Sequence, residues 1–187
     1  MQLRTHLTAI AALTLAFTGA SLAAELPAGT QLHPTQTFVR SNGSEPESMD
    51  PAVAETVPAN QILRDLFEGL TATDTTGKTV PGVAESWKQT NPTTWVFKLR
   101  TNAKFSNGDP ITADDFVYGI RRFVDPKTAS PYAATFGVFL QNGLEVAQGK
   151  KPTTELGVKA LDKHTLELKT QDPTPFMAEL VANTQLG

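Results

Sequence analysis

Cysteine is absent from the chain. Its absence excludes disulfides, thiol catalysis, cysteine-based zinc sites and lipid attachment through an N-terminal cysteine. Motifs for other chemistry are missing too, since there is no G-x-S-x-G elbow, no H-E-x-x-H, no glycine-rich phosphate loop and no EF-hand spacing. The three histidines, His6, His33 and His164, stand far apart in the sequence. We therefore expect no enzyme, no catalytic residues, no metal site and no cofactor.

Clustered positive charge is also scarce. The formal net charge is −3, and the pair Lys150 and Lys151 lies in a polar segment typical of a solvated turn. Proteins that bind nucleic acid usually carry a basic patch or stripe. Nucleic acid is therefore not an expected partner.

Long apolar runs are confined to the N-terminus. Arg4 precedes a mostly apolar, uncharged segment at residues 7–23, which ends in small residues at Ser21 and Ala23. This arrangement predicts a secretory signal peptide over residues 1–23, cleaved before Ala24. A membrane anchor is the alternative, but several threonines dilute the segment, which is short for a span.

The clearest local pattern runs from residue 95 to residue 124 and predicts a strand, a turn and a helix. Trp95, Phe97 and Leu99 alternate with more polar residues, as in a half-buried strand. The sequence SNGDP at residues 106–110 is a strong turn signal. Thr112 is then placed to begin a helix whose apolar stripe comprises Phe116, Val117, Ile120, Phe123 and Val124.

The other predicted elements mix helices with short strands. Residues 62–70 predict a helix capped by Asn60, and residues 37–40 predict a short strand. Residues 71–81 and 156–170 predict hairpins. Because regular βαβ alternation is absent, the fold class predicted for residues 68–187 is α+β.

Several motifs together resemble one protein family. GVAESW at residues 82–87, the pattern W-x-F-x-L-R from Trp95, and FSNGDPITADDFVY at residues 105–118 are similar to the signature of the peptide/nickel class of extracytoplasmic solute-binding proteins. These proteins are the periplasmic partners of ATP-driven importers. RDLFEGL at residues 64–70, VDPKTASPYA at residues 124–133 and GKKPTTELGVKALDKHTLEL at residues 149–168 resemble the oligopeptide-binding branch and its murein-peptide-binding relatives.

The resemblance implies part of a two-lobed, type II periplasmic-binding-protein-like fold. Residues 24–67 would begin the first lobe, and residues 68–187 would form the small α+β second domain. A chain of 187 residues suffices for one ordinary domain but not for both lobes. The sequence is therefore interpreted as an N-terminal fragment or a truncated product.

The resemblance also implies where a ligand would bind. Pro58 predicts an extended conformation before it, and the family's segment matching Glu55, Thr56 and Val57 offers main-chain groups to a peptide as an added strand. Glu55 could add a carboxylate near the cleft, and Tyr132 matches a ligand-contacting position. The alternative for residues 55–57 is an ordinary loop-to-helix connection. The alternative for Tyr132 is a core residue on a helix face. The acidic residue that holds a peptide's amino terminus would lie beyond Gly187.

The function implied is capture of oligopeptides in the periplasm of a Gram-negative cell and delivery to the membrane subunits of an ABC importer, with a monomer expected. Alternatives are another ligand, such as a dipeptide, murein tripeptide, nickel chelate or haem, or a truncated paralogue that acts as a periplasmic interaction or chaperone-like module.

Overall fold

The computed structural model describes residues 27–186, which divide into two units after Arg40. The predicted signal peptide, residues 1–23, lies outside the described residues. In the first unit, residues 27–40 contain a turn in which the Thr30 N–H donates to the Pro27 carbonyl at 3.1 Å. The predicted strand at residues 37–40 is wrong, and Phe38 and Val39 are both 87% exposed. A strand requires a hydrogen-bonded neighbour, and no ladder in the described part includes these residues.

The second unit contains the regular elements of residues 41–186. Its helices are α1 (Val57–Leu66), α2 (Ala113–Val124), α3 (Ala133–Gly137), α4 (Gly143–Ala147) and α5 (Met177–Leu180). Its strands are β1 (Thr71–Thr73), β2 (Thr79–Pro81), β3 (Ala84–Asn91), β4 (Thr94–Leu99), β5 (Val158–Asp162) and β6 (Thr165–Lys169). Short 3-10 turns occupy Pro126–Thr128, Thr153–Glu155 and Thr184–Leu186. No helix within residues 27–186 is long and apolar enough to cross a membrane.

The core lies between an antiparallel sheet and helix α2. The sheet has the strand order β3-β4-β6-β5, and Trp95 pairs with Leu168 while Phe97 pairs with Leu166. These apolar side chains are buried, as the alternation in the sequence predicts. Helix α2 contacts β5 and β6 and buries its predicted stripe of Phe116, Val117, Ile120, Phe123 and Val124. Each large apolar side chain contributes about 1.5–3 kcal/mol by its burial.

Helix α2 begins as predicted, one residue after Thr112. The Asp115 carboxylate accepts from the Thr112 main-chain N–H at 2.7 Å and from the Thr112 hydroxyl at 2.8 Å. This carboxylate satisfies a donor at the start of the helix, where the helix dipole also favours negative charge. The hairpins β1–β2 and β5–β6 form where they were predicted. The mixed helices and antiparallel sheet confirm the α+β class.

Helix α1 begins earlier than predicted. It starts at Val57, so the predictions of an extended Val57 and of Asn60 as the cap are wrong. Thr56 is the capping residue, with an extended backbone at φ −82° and ψ 155°. Pro58 is tolerated in the first helical turn because its missing N–H would have no helical partner there. The helix buries Ala59 and Leu63 completely.

Candidate functional site

The segment predicted to grip a ligand lies at the surface of the second unit. Glu55, Thr56 and Val57 are exposed, and Val57 is 68% exposed. Ala54, directly before them, is fully buried. The chain therefore emerges from the core at Ala54 and enters helix α1 at Val57. Glu55 and Thr56 link these points, and with Val57 they form an exposed segment of three residues.

The carboxylate of Glu47 holds this segment through three hydrogen bonds. Its Oε1 accepts hydrogen bonds from the main-chain N–H groups of Glu55 at 2.6 Å and Thr56 at 2.9 Å. Its Oε2 accepts from the Thr56 hydroxyl. The Thr56 hydroxyl, followed by the two N–H groups, lowers the pKa of Glu47 from 4.5 to about 2 because all three bonds favour the ionised form. We call these three bonds the Glu47 clasp.

Two further side chains hold the residues just before the segment. The Gln185 side-chain amide donates to the Ala54 carbonyl at 2.8 Å in a buried position. The Asp50 carboxylate accepts from the Ala52 N–H at 3.0 Å. Arg122 in helix α2 donates to both oxygens of Asp50, and this guanidinium lowers the pKa of Asp50. The approach to the segment is therefore fastened to helix α2 and to the C-terminal turn of the described chain.

Within residues 27–186, these bonds leave two main-chain groups of the segment without a partner. Among the hydrogen bonds of residues 27–186, none uses the Glu55 carbonyl or the Val57 N–H. Pro58 has no N–H to offer. The segment thus presents one acceptor and one donor, two residues apart. This is the complement that an extended peptide needs, because a peptide main chain carries both an N–H and a carbonyl in every residue.

Tyr132 lies at a different place, immediately before helix α3. It is half-buried, packs against the core, and lines a cleft of about 1040 Å³. Arg64 and Phe67 from the end of helix α1 line the same cleft, whereas Glu55, Thr56 and Val57 do not. The structure therefore does not bring Tyr132 and the exposed segment into this one cleft. Helix α1 contributes residues from Asn60 to Leu66 to the cleft that Tyr132 lines.

Sequence reasoning missed Glu47, Asp50 and Gln185. Residues 41–51 are rich in turn-forming residues and form a loop, but these residues give no sign of which carboxylates bind the main chain. Within residues 27–186, no group of three or more histidine, aspartate or glutamate side chains is placed to hold a metal ion.

Comparisons with known proteins agree with the motifs. The family model described as bacterial extracellular solute-binding proteins, family 5 Middle, matches residues 78–186. The periplasmic oligopeptide-binding protein OppA of Escherichia coli strain K12 is 51% identical over 168 residues, 87% of this chain and 30% of its own. The periplasmic murein peptide-binding protein MppA of the same strain is 46% identical over 166 residues, 87% of this chain and 30% of its own.

A solved structure shows the same fold. The complex of Haemophilus influenzae OppA with the peptide RPPGFSPFR superimposes with a TM-score of 0.79 at 44% identity, covering 83% of this chain and 31% of that one. The chain spans about 30% of the length of the curated relatives described above. The match over residues 78–186 and the peptide-binding relatives confirm the resemblance read from the motifs. The chain belongs to the bacterial extracellular solute-binding proteins, family 5.

Proposed function

We propose that this chain is part of a periplasmic protein that captures oligopeptides and delivers them to an ABC importer. The observation that carries the proposal is the exposed Glu55–Val57 segment, where a free carbonyl and a free N–H stand on a fastened main chain. The relatives support it, because one is named an oligopeptide-binding protein and another was solved with a bound peptide.

Main-chain recognition suits a carrier of many peptides. Every peptide carries the same backbone groups, so pairing with the Glu55 carbonyl and the Val57 N–H selects for an extended chain and its direction. The side chains of the ligand would matter little in this pairing. The exposed Glu55 carboxylate adds negative charge beside the segment. A positively charged group near that point of the peptide would therefore be favoured.

The segment supplies one wall of the proposed binding site. Closure of a second lobe over the peptide would bury the ligand and create the surface that the membrane subunits of the importer recognise. The predicted signal peptide of residues 1–23 is consistent with a periplasmic location. The boundary predicted between residues 67 and 68 belongs to the same proposal, with residues 24–67 as the start of the first lobe.

Murein peptides are the second candidate ligand, because MppA is 46% identical to this chain. They also contain peptide bonds, so the same main-chain groups could bind them. Trialanine and a murein tripeptide, titrated in parallel into the chimera described below, distinguish the two candidate ligands. Tighter binding of trialanine supports the oligopeptide proposal, and tighter binding of the murein tripeptide replaces it.

The main test is calorimetry on a chimera. Residues 27–186 of this chain replace the matching part of the E. coli oligopeptide-binding relative, which supplies the rest of the site. We expect the chimera to bind trialanine at micromolar concentration and to bind fully N-methylated trialanine far more weakly, because methylation removes the ligand's N–H donors. The E. coli relative itself is the control. A cooperatively folded chimera that fails to bind trialanine contradicts the proposal.

A further inference from the structure

The Glu47 clasp joins two exposed parts of the chain that are eight residues apart. Both oxygens of the carboxylate are engaged, and three donors converge on them. Glu47 and its partners are exposed, so burial of apolar surface does not hold them together. The hydrogen bonds themselves hold the contact, and bonds to a charged acceptor are about twice as strong as those between neutral groups.

The loop that carries Glu47 is itself held in place. The Asp50 N–H donates to the Ser48 hydroxyl at 3.1 Å, and the Asp50 carboxylate is held by Arg122 of helix α2. The Asn42 side-chain amide donates to the Pro58 carbonyl at 3.0 Å. Glu47 therefore projects from a loop that is fastened to helices α1 and α2. Its carboxylate can impose a position on the segment instead of following it.

The clasp also decides which donors of the segment remain available. Without Glu47, the main-chain N–H groups of Glu55, Thr56 and Val57 would all be free at the surface. A ligand carbonyl could then bind any of the three, in different registers. With the clasp formed, the Val57 N–H is the donor left over in residues 55–58, because the clasp occupies two groups and Pro58 has none.

We propose that Glu47 is a positioning residue that sets the register in which a peptide pairs with residues 55–57. This inference rests on the proposed peptide-binding function. The Glu47 carboxylate occupies the two competing N–H groups and fixes the direction of the Glu55 carbonyl. An incoming peptide then meets one donor and one acceptor in a single arrangement, and does not have to order a loose segment itself.

The first experiment uses the chain itself. Amide hydrogen exchange, followed by NMR, reports on the N–H groups of Glu55 and Thr56 in the unsubstituted chain and in three variants. We expect protection to be lost in Glu47→Ala and largely kept in Glu47→Gln, whose amide oxygen can still accept from both groups. The matched control is Glu45→Ala, because Glu45 is an exposed glutamate of the same loop. It should leave both amides protected.

The second experiment measures peptide affinity in the chimera described above. Glu47→Ala should weaken trialanine binding by about tenfold, since the ligand must then order the freed segment. Glu47→Gln should restore most of the affinity, and Glu45→Ala should match the unsubstituted chimera. If Glu47 contributed to stability alone, replacing it would change the melting temperature, and Glu47→Gln would not restore the affinity.

Singly N-methylated trialanines test the register directly. In the unsubstituted chimera, methylation at one particular peptide N–H should cause most of the loss of affinity. In Glu47→Ala, the loss should be spread more evenly over the methylated positions, because several registers become available.

The outcomes separate the two proposals. If the unsubstituted chimera does not bind trialanine, the peptide-binding proposal fails and the role of Glu47 fails with it. If it binds, but Glu47→Ala binds equally well with the same pattern of methylation effects, only the role of Glu47 is overturned. Unprotected Glu55 and Thr56 amides in the unsubstituted chain would overturn the clasp itself.

Discussion

Replacing Gln185 with methionine should remove the buried hydrogen bond that holds Ala54, the residue directly before the exposed segment. Gln185 is 7% exposed, and its side-chain amide donates to the carbonyl of Ala54, which is fully buried. Methionine has a similar length and volume but no donor. The substitution therefore leaves a buried carbonyl without a partner and creates almost no cavity.

The size of the effect follows from the unpaired carbonyl. An unsatisfied buried acceptor costs about 1–3 kcal/mol. A loss of about 2 kcal/mol lowers the melting temperature of a domain of this size by about 4–8 °C. Because Ala54 directly precedes the exposed segment, the amide protons of Glu55 and Thr56 should also exchange faster with solvent.

Thermal unfolding followed by circular dichroism measures the first effect, and hydrogen exchange measures the second. The matched control is Gln61→Met, since Gln61 is an exposed glutamine on helix α1. We expect the control to change the melting temperature by about 2 °C or less, as exposed substitutions are close to neutral. If Gln185→Met is no more destabilising than this control, the buried hydrogen bond does not hold the segment, and the reasoning is refuted.

Three further predictions concern the same region. The pKa of Glu47 is about 2 in the folded chain and 4.5 ordinarily, so its stabilising effect is fully present above pH 4.5 and is lost as the pH falls toward 2. Hydrogen exchange of the Glu55 and Thr56 amides should therefore show protection that decreases across this range. Constant protection down to pH 2 would contradict this pH dependence. Arg122→Gln and Asp50→Asn should each lower the free energy of unfolding, measured in urea, by about 1 kcal/mol; the value is modest because both side chains are about one-third exposed. The double variant should be little less stable than either single variant. Additive losses would show that the two residues act separately. Leu63→Ala should lower the free energy of unfolding in urea by about 2–4 kcal/mol because Leu63 is fully buried. Leu66→Ala, at a position 65% exposed on the same helix, should lower it far less. Equal losses would place Leu63 outside the core.

The sequence predicts the local elements of the second unit well. The alternation of Trp95, Phe97 and Leu99 and the stripe of helix α2 are each encoded within one short stretch. The hairpins carry turn residues between alternating strands. Such patterns depend on neighbours in the chain, so they can be read without knowing the tertiary fold.

The start of helix α1 shows where a local rule fails. The restriction that Pro58 places on the preceding residue predicts an extended Val57, yet Val57 is helical. The rule states a preference, and here Thr56 caps the helix while the Glu47 clasp holds the residues before it. Tertiary hydrogen bonds outweighed a local preference.

The fastening of the segment could not be predicted from the sequence. Gln185 and Ala54 are 131 residues apart, and Arg122 and Asp50 are 72 apart. No periodicity links such positions, and each pair becomes neighbours only after the sheet and helix α2 have packed. Residues 55–57 were proposed from family resemblance, whereas Glu47 required the structure.

The hydrogen bond between Ala54 and Gln185 links the exposed segment to a distant part of the chain. A change in the last few described residues, far along the chain from the exposed main chain at 55–57, would loosen that main chain without altering any residue that faces a ligand. Under the proposed peptide-binding function, substitutions near residue 185 should therefore weaken peptide binding. Under that proposal, such variants would fold and still bind peptide weakly.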